Sequence, residues 1–195
     1  MDGAGSDFVA KVQSVIWNSL SSILELQGQR DKINEHRVEL QATLDAIGTS
    51  NIPQHMIEGI ERSRFKLSAN ERSIEIYDIA INIAAGSLLQ LARQAISMQH
   101  KGRARCPRGR RVSGFDVRDL IWYGRNQSMH YEQELEKPTG PFFKKLEKDL
   151  PVQFPRRVPA ASHAKAILDL LGWTSCPSLI EQDMHDLMQH GASAL

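Results

Sequence analysis

Apolar side chains recur at three- and four-residue steps along the first part of the chain, which is the spacing of an amphipathic helix. Over residues 7–47 these side chains are Phe8, Val12, Val15, Ile16, Leu20, Ile23 and Leu24. Polar residues dominate from Gln27 to Glu39, so the second half of this helix is expected to be the more exposed. The pattern predicts one long helix over residues 7–47.

Two more helices are predicted before residue 100. The first covers residues 53–67, with Pro53 in its first turn. Ser68 and Glu71 in "SANE" have the spacing of a capping box, which predicts the start of a separate helix over residues 69–99. This helix is the most apolar of the chain and is expected to be central, since it contains Ile74, Ile76, Ile79, Ile81, Ile83, Leu88, Leu89, Leu91 and Ile96.

The last third of the chain is interrupted repeatedly by proline and glycine, and no segment has the alternation of a strand. Three short helices are predicted there, over residues 139–149, 162–171 and 177–190. Together these elements predict an all-α fold. We expect a helical bundle over residues 1–137 and a helical C-terminal extension over residues 138–195 packed on it.

The composition is that of a globular domain and argues against several classes of protein. Of the 195 residues, 41% are hydrophobic and 24% are charged, which is ordinary for one folded domain. The chain has no apolar export segment and no run of eighteen apolar residues, so a cytoplasmic protein without a membrane partner is predicted. Cys106 and Cys176 lack ligands at metal-binding spacing, so neither a metal nor a cofactor is predicted.

A net charge of +1 hides an uneven distribution. Residues 1–100 hold nine Lys or Arg and twelve Asp or Glu, whereas residues 101–195 hold fifteen and eleven. The excess lies in "KGRARCPRGRR", hereafter the basic segment, where six of eleven residues are basic. A field of this density attracts polyanions, although solvated basic loops are common. The predicted nucleic-acid contacts are Lys101, Arg103, Arg105, Arg108, Arg110 and Arg111.

The stretch "DLIWYGRNQSMHYEQ" lies in an amphipathic helix predicted over residues 115–136, opened by a capping box of Ser113 and Asp116. The predicted core face consists of Val117, Leu120, Ile121, Gly124, Ser128, Tyr131 and Leu135. The opposite face carries Trp122 and Met129 among polar residues. Apolar side chains rimmed by polar ones are typical of an interface, so both are predicted to contact a second copy of the chain in a homodimer.

Within this stretch, "RNQSMH" resembles the motif of the HEPN superfamily (higher eukaryotes and prokaryotes nucleotide-binding domain), in which an arginine, a polar residue and a histidine follow each other closely. The matching residues are Arg125, Asn126 and His130. The resemblance implies a dimeric helical bundle and, as in many members, a metal-independent endoribonuclease of toxin–antitoxin, phage-defence or RNA-processing systems. The implied partners are RNA, a second copy, and a protein antitoxin or effector.

The same pattern occurs once more, in "RDKINEH", as Arg30, Asp31 and His36. That copy lies in a highly polar stretch, which favours a charged, solvated helix face. The copy at residues 125–130 lies in an amphipathic helix near the basic segment, and we predict that it is the functional one.

The resemblance implies roles for the three residues in cleaving RNA by its own 2′-hydroxyl group. Histidines titrate near neutral pH, so His130 is the predicted acid or base, with one imidazole from each subunit. Arg125 would stabilise negative charge on phosphorus, and Asn126 would orient the phosphate or the imidazole. Two alternatives are a noncatalytic HEPN-like module that binds nucleotide, nucleic acid or protein, and a helical adaptor whose motif is accidental.

Overall fold

The computed structural model describes residues 3–47, 52–131, 138–155 and 161–189, with side chains from residue 14 onward. This part of the chain contains six α-helices, a short 3-10 turn and a two-stranded antiparallel sheet, which confirms the all-α fold class. The elements are α1 (Gly3–Ile47), α2 (Gln54–His100), the 3-10 turn (Arg103–Arg105), β1 (Arg111–Val112), β2 (Phe115–Asp116), α3 (Val117–Met129), α4 (Thr139–Asp149), α5 (Ala164–Leu170) and α6 (Ser178–Met188).

The chain divides into two compact units, and the division falls inside α1 and α2. One unit is Leu24–Ile81, hereafter the helical hairpin; the other consists of Met1–Ile23 and Asn82–Leu195, hereafter the core unit. The sequence predicted a boundary at residue 137, which lies outside the described residues. Residues on both sides of that position belong to the core unit.

Within the helical hairpin, α1 and α2 are antiparallel neighbours. Arg30 pairs with Asp78 at 3.1 Å, and the amide of Asn70 lies 3.1 Å from His36 Nδ1, so residue numbers fall on one helix as they rise on the other. Apolar residues recur every seven positions along both helices, a repeat that the sequence interpretation missed. They are Leu26, Ile33, Leu40 and Ile47 on α1, and Ile60, Leu67, Ile74 and Ile81 on α2. A repeat of seven keeps one apolar stripe along each helix, hereafter the seam, and supplies one of the two apolar positions that each heptad of a coiled coil contains.

The predicted break in α2 is wrong, because the helix runs without interruption through Ser68 and Glu71. The reason is the seam: Leu67 and Ile74 lie one on each side of the supposed cap, and packing of a continuous stripe outweighs a local capping preference. The expected central position holds for only part of the helix. Ile76, Ile79 and Ile83 are 67, 61 and 66% exposed, while the fully buried residues of α2 are Ala85, Leu88, Leu89, Ala92 and Ile96.

Helix α2 is also long and apolar enough to cross a membrane, by length and composition alone. One window of 18 residues has a mean hydropathy of 1.3, and 28% of that window is buried. Core helices of soluble proteins pass the same test, so the cytoplasmic location remains a prediction.

In the core unit, α3 packs against α4, α5 and the small sheet. The approach is close at Gly124, where a Cβ atom would lie 3.2 Å from side-chain atoms of both Leu89 and Ile167. The three short C-terminal helices are confirmed as α4, α5 and α6. The largest fully buried side chains of the core unit are Leu20, Ile23, Leu88, Leu89, Ile96, Leu120, Ile121, Leu146, Phe154, Ile167, Leu168 and Trp173.

The predicted capping box of Ser113 and Asp116 is wrong, because these residues belong to a β-hairpin. Val112 pairs with Phe115, and the two residues between them have positive φ angles, 48° at Ser113 and 87° at Gly114. That backbone fits the tight turn of a two-residue hairpin, for which a glycine is well suited. Asp116 then precedes α3 without any side-chain capping hydrogen bond.

Helix α3 ends at Met129, so the predicted helix over residues 115–136 is too long. The predicted core residue Leu135 lies in residues 132–137, outside the described residues. Tyr131 is 38% exposed, contrary to its predicted place in the core, whereas Gln127 is 4% exposed. The buried Gln127 side chain has partners at both ends of its amide. Its Nε2 donates to the Ala161 carbonyl and its Oε1 accepts from the His163 backbone N–H, both at 2.8 Å.

Candidate functional site

The candidate site is built where α3 faces α2 in the core unit. Arg125 Nε donates a hydrogen bond to Gln90 Oε1 on α2. Its neighbour Asn126 accepts a hydrogen bond at Oδ1 from Arg93 Nη1, also on α2, at 2.8 Å, and a longer one from Arg125 Nη1 at 3.5 Å. Two guanidinium groups thus converge on one neutral amide oxygen.

The guanidinium group of Arg93 lies over the ring of Trp122. Its guanidinium carbon lies 4.4 Å from the centre of the indole ring, a cation–π contact, while its Nη1 donates to Asn126. Trp122 was predicted at a homodimer interface, and that prediction stands untested. Within the chain, one side of this half-buried ring is already covered by Arg93.

Asn126 connects three helices. Its Oδ1 accepts from Arg93 on α2, and its Nδ2 donates to Thr139 Oγ1 on α4 at 3.3 Å, where Thr139 is buried. Both ends of the carboxamide are therefore engaged inside the chain. The geometry favours a role in positioning the two arginines, whereas the sequence predicted a direct role toward phosphate or imidazole.

The charge around these arginines is not compensated by an acid within the described residues. Neither Arg93 nor Arg125 takes part in any of the salt bridges there. Burial, and then the positive charge of Arg125, lower the pKa of Arg93 below its usual value. The two side chains are half-buried rather than enclosed, so an anion can reach them from solvent.

His130 follows the last residue of α3 and does not lie on the helix. Its backbone has φ −133° and ψ 26°, its N–H donates to the Gln127 carbonyl at 3.1 Å, and its side chain is exposed. Met129, the other predicted interface residue, is 57% exposed. The imidazole is thus accessible from solvent, and it lies five positions after Arg125 in the sequence.

The structure separates the six predicted nucleic-acid contacts into two groups. Arg103 pairs with Asp119 at 2.9 Å, and Arg110 donates to both carboxylate oxygens of the buried Asp183, at 2.7 and 2.9 Å. The guanidinium groups of these two arginines are engaged in internal ion pairs. The exposed members of the segment are Lys101, Arg105, Arg108 and Arg111.

Those exposed residues differ in their own contacts. Arg108 and Arg111 lie 3.8 and 3.7 Å from carboxylate oxygens of Asp116, yet their side chains remain 77 and 70% exposed. Loose contacts of this kind contribute little to stability. All four side chains are exposed and therefore add to the positive charge of the surface.

The second copy of the motif has quite different surroundings. Arg30 pairs with Asp31 at 3.0 Å and with Asp78 at 3.1 Å. The hydrogen bond to Asp31 and the charge of Asp78 raise the pKa of Arg30, against an opposing effect of burial. His36 lies 3.1 Å from the amide of Asn70. This copy is part of a polar network on the helical hairpin.

Arg93 and Gln90 are the site residues that sequence analysis missed. A signal for them exists: three polar side chains interrupt the apolar stretch "LLQLARQAI" of α2, and two of them, Gln90 and Arg93, are three residues apart. Residues at this spacing share a helix face. Among the described residues, no group of three or more His, Cys, Asp or Glu side chains lies close enough to hold a metal ion.

Comparison of the chain with protein-family models, with curated proteins and with solved structures found no match in any of the three.

Proposed function

We propose that this chain is a metal-independent endoribonuclease that cleaves RNA with the RNA's own 2′-hydroxyl group. The observation that carries the proposal is the pair of guanidinium groups, Arg93 and Arg125, which share the Asn126 amide and form no salt bridge with a carboxylate among the described residues. Positive charge fixed in advance of the reaction stabilises the extra negative charge that develops on phosphorus. The exposed His130 supplies a group that can move protons.

In the proposed reaction the 2′-oxygen forms a bond to phosphorus as a base removes its proton. The bond from phosphorus to the 5′-oxygen of the next nucleotide breaks, and an acid gives that oxygen a proton. The products are a 2′,3′-cyclic phosphate and a 5′-hydroxyl end, with no oxidant, reductant or water consumed. One imidazole acts as base and another as acid.

The need for two imidazoles supports a homodimer in which each copy contributes His130. The exposed position of His130 and Met129 at the end of α3 favours this arrangement, because a second copy can approach both. In a two-fold dimer the same surface of each copy meets its equivalent, so the two His130 side chains face one shared cleft.

A noncatalytic binding module is the second candidate, and one observation favours it. The Arg93, Arg125 and Asn126 cluster is complete without His130, so it can bind a phosphate group whether or not cleavage follows. Such a module would bind RNA or a nucleotide and leave it intact.

Incubation of the purified protein with total RNA, with and without EDTA, tests the proposal. We expect cleavage in both samples, and loss of cleavage in Arg125→Ala and His130→Ala. Binding without cleavage would favour the module. If RNA is neither bound nor cut, and the protein is a monomer on size exclusion, the adaptor alternative is the better account.

A further inference from the structure

Two like charges that share one neutral acceptor are an unusual arrangement in a folded protein. Arg93 and Arg125 both donate to Asn126 Oδ1, at 2.8 and 3.5 Å. Unlike charges normally accompany partly buried arginines, as Asp119 does for Arg103 and Arg118 at 2.9 and 2.8 Å. A local arrangement that opposes stability is characteristic of functional sites.

The orientation of the two side chains is fixed by the chain itself. The ring of Trp122 packs against the guanidinium group of Arg93, with 4.4 Å between the guanidinium carbon and the ring centre. Gln90 holds Arg125 through its Nε atom. Since Gln90 and Arg93 lie on neighbouring turns of α2, and Trp122 and Arg125 on neighbouring turns of α3, one helix pair holds both guanidinium groups.

A guanidinium group has five N–H donors. The contacts above use only part of this capacity, Nη1 of Arg93, and Nε and Nη1 of Arg125. An anion with several oxygen atoms arranged around one centre can accept from two guanidinium groups that lie side by side. Phosphate fits this description better than a carboxylate, whose two oxygens lie in one plane with its carbon.

We infer that Arg93 and Arg125 together bind one phosphate group, and that Arg93, which no motif marks, is therefore a phosphate ligand of the site. The inference rests on the proposed function in one respect, since the phosphate is taken to be that of an RNA backbone. Asn126 acts as a positioning residue, because its Oδ1 accepts a hydrogen bond from each of the two guanidinium groups.

Trp122 provides the signal for a direct test. Binding of an anion to Arg93 changes the environment of the stacked indole, so titration with inorganic phosphate is expected to change tryptophan fluorescence. Trp122→Phe should remove that change, while Trp17 and the buried Trp173 remain in place as constant background. A fluorescence change that persists in Trp122→Phe would place phosphate elsewhere and contradict the inference.

The variants Arg93→Ala and Arg125→Ala are each expected to weaken binding of phosphate and of a noncleavable 2′-O-methyl RNA by about tenfold or more, the usual effect of losing hydrogen bonds to a charged group. Arg72→Ala is the matched control: it removes the same charge from an exposed position of α2, and a change of less than about twofold is expected. Arg93→Lys keeps the charge but loses the planar fork, so it should bind with intermediate affinity.

The inference is overturned if Arg93→Ala or, should that variant be unfolded by circular dichroism, Arg93→Lys binds both ligands as Arg72→Ala does. Acetate binding equal to that of phosphate would overturn the assignment to phosphate. Failure of the inference and failure of the proposed function give different results. Phosphate binding that depends on Arg93, without RNA cleavage, contradicts the nuclease alone; cleavage that is indifferent to Arg93 contradicts the inference alone.

Discussion

The two copies of the arginine–histidine pattern have similar sequences but different surroundings. Arg30 is paired with Asp31 and Asp78 on the helical hairpin, where its charge is compensated. Arg125 is held by the neutral side chains of Gln90 and Asn126 and lies next to a second arginine, Arg93. The arginine of the first copy forms an ion pair between α1 and α2, whereas the arginine of the second copy lies beside another positive charge.

This difference shows why a short motif is informative only together with its neighbours. The residues that distinguish the copies are absent from the motif itself: Asp78 lies 48 positions from Arg30, and Gln90 lies 35 positions from Arg125. Both neighbours are on α2, which passes through both units. One helix therefore supplies a carboxylate to one copy and an amide and a guanidinium to the other.

The largest expected effect comes from substituting the two copies in parallel. Arg125→Ala and His130→Ala should each reduce RNA cleavage on the order of 1000-fold, the effect of removing charge stabilisation or general acid–base catalysis. Arg30→Ala and His36→Ala serve as matched controls and should change the rate by less than about twofold. Single-turnover rates on one RNA oligonucleotide measure all four. Equal losses in both copies would contradict the distinction drawn between them.

Ion pairs of the two units should differ in their contribution to stability. Asp183 is 2% exposed and binds Arg110 and the Trp173 indole N–H, so Asp183→Ala should lower the free energy of unfolding by about 3 kcal/mol or more. Asp78 is half-exposed in its pair with Arg30, so Asp78→Ala should cost about 1 kcal/mol or less. Urea unfolding followed by circular dichroism measures both. A larger loss for Asp78→Ala would reverse the comparison.

A glycine of each unit offers the next test. In the core unit, Gly124→Ala places a Cβ atom 3.2 Å from Leu89 and Ile167 and should destabilise by about 1 to 3 kcal/mol through overpacking. In the helical hairpin, Gly28 has open space instead: among the described residues no atom beyond its own helix turn lies within 4 Å of a Cβ added at Gly28. Gly28→Ala should therefore stabilise the helix by about 0.5 to 1 kcal/mol. Thermal unfolding of both variants gives the sign of each change in stability. A lower melting temperature for Gly28→Ala would contradict the open surroundings described for Gly28.

The smallest effect concerns pH, and it should originate in the core unit. Burial lowers the pKa of His163, partly opposed by Glu147, and its ring stacks 5.8 Å from Phe143. The unfolded chain takes up this proton first, so stability should fall as pH decreases through the ordinary histidine range, about 6.5. His163→Phe should flatten that step in urea midpoints between about pH 7.5 and 5.5, while His36→Ala should retain it. An unchanged slope in His163→Phe would exclude this origin.

A second acid-dependent loss follows at lower pH. Burial alone would raise the pKa of Asp119, but hydrogen bonds from Arg118 and Arg103 hold it below the usual value. Stability from this carboxylate is present above the ordinary aspartate pKa and is lost as pH falls through the lowered one. The two losses have the same direction and occur in separate pH ranges.

Much of the fold could be predicted from the sequence because local signals agree with packing there. Helix α1 and the short helices α4 to α6 follow from apolar spacing and from proline and glycine breaks. The prediction failed where tertiary packing overrides a local signal. A capping pattern at Ser68 does not stop a helix whose seam continues, and a Ser-Gly pair at residues 113–114 forms a hairpin turn.

The candidate site was predictable only in part, for a different physical reason. A motif reports residues that are close in sequence, such as Arg125 and Asn126, which α3 does place side by side. Arg93 and Gln90 come from another helix, and only the fold brings them to α3. The paired or unpaired state of an arginine likewise depends on tertiary neighbours, as Arg110 shows by binding Asp183 73 positions away.

The central claim is that the RNA's own 2′-oxygen attacks phosphorus in a site held by Arg125 and His130. The most direct test is to incubate the purified protein in EDTA with one RNA oligonucleotide and with its 2′-O-methyl counterpart, and to identify the new ends by mass spectrometry. We expect 2′,3′-cyclic phosphate and 5′-hydroxyl ends from the RNA and no cleavage of the methylated strand. Cleavage of both strands, or 5′-phosphate ends, would contradict the account.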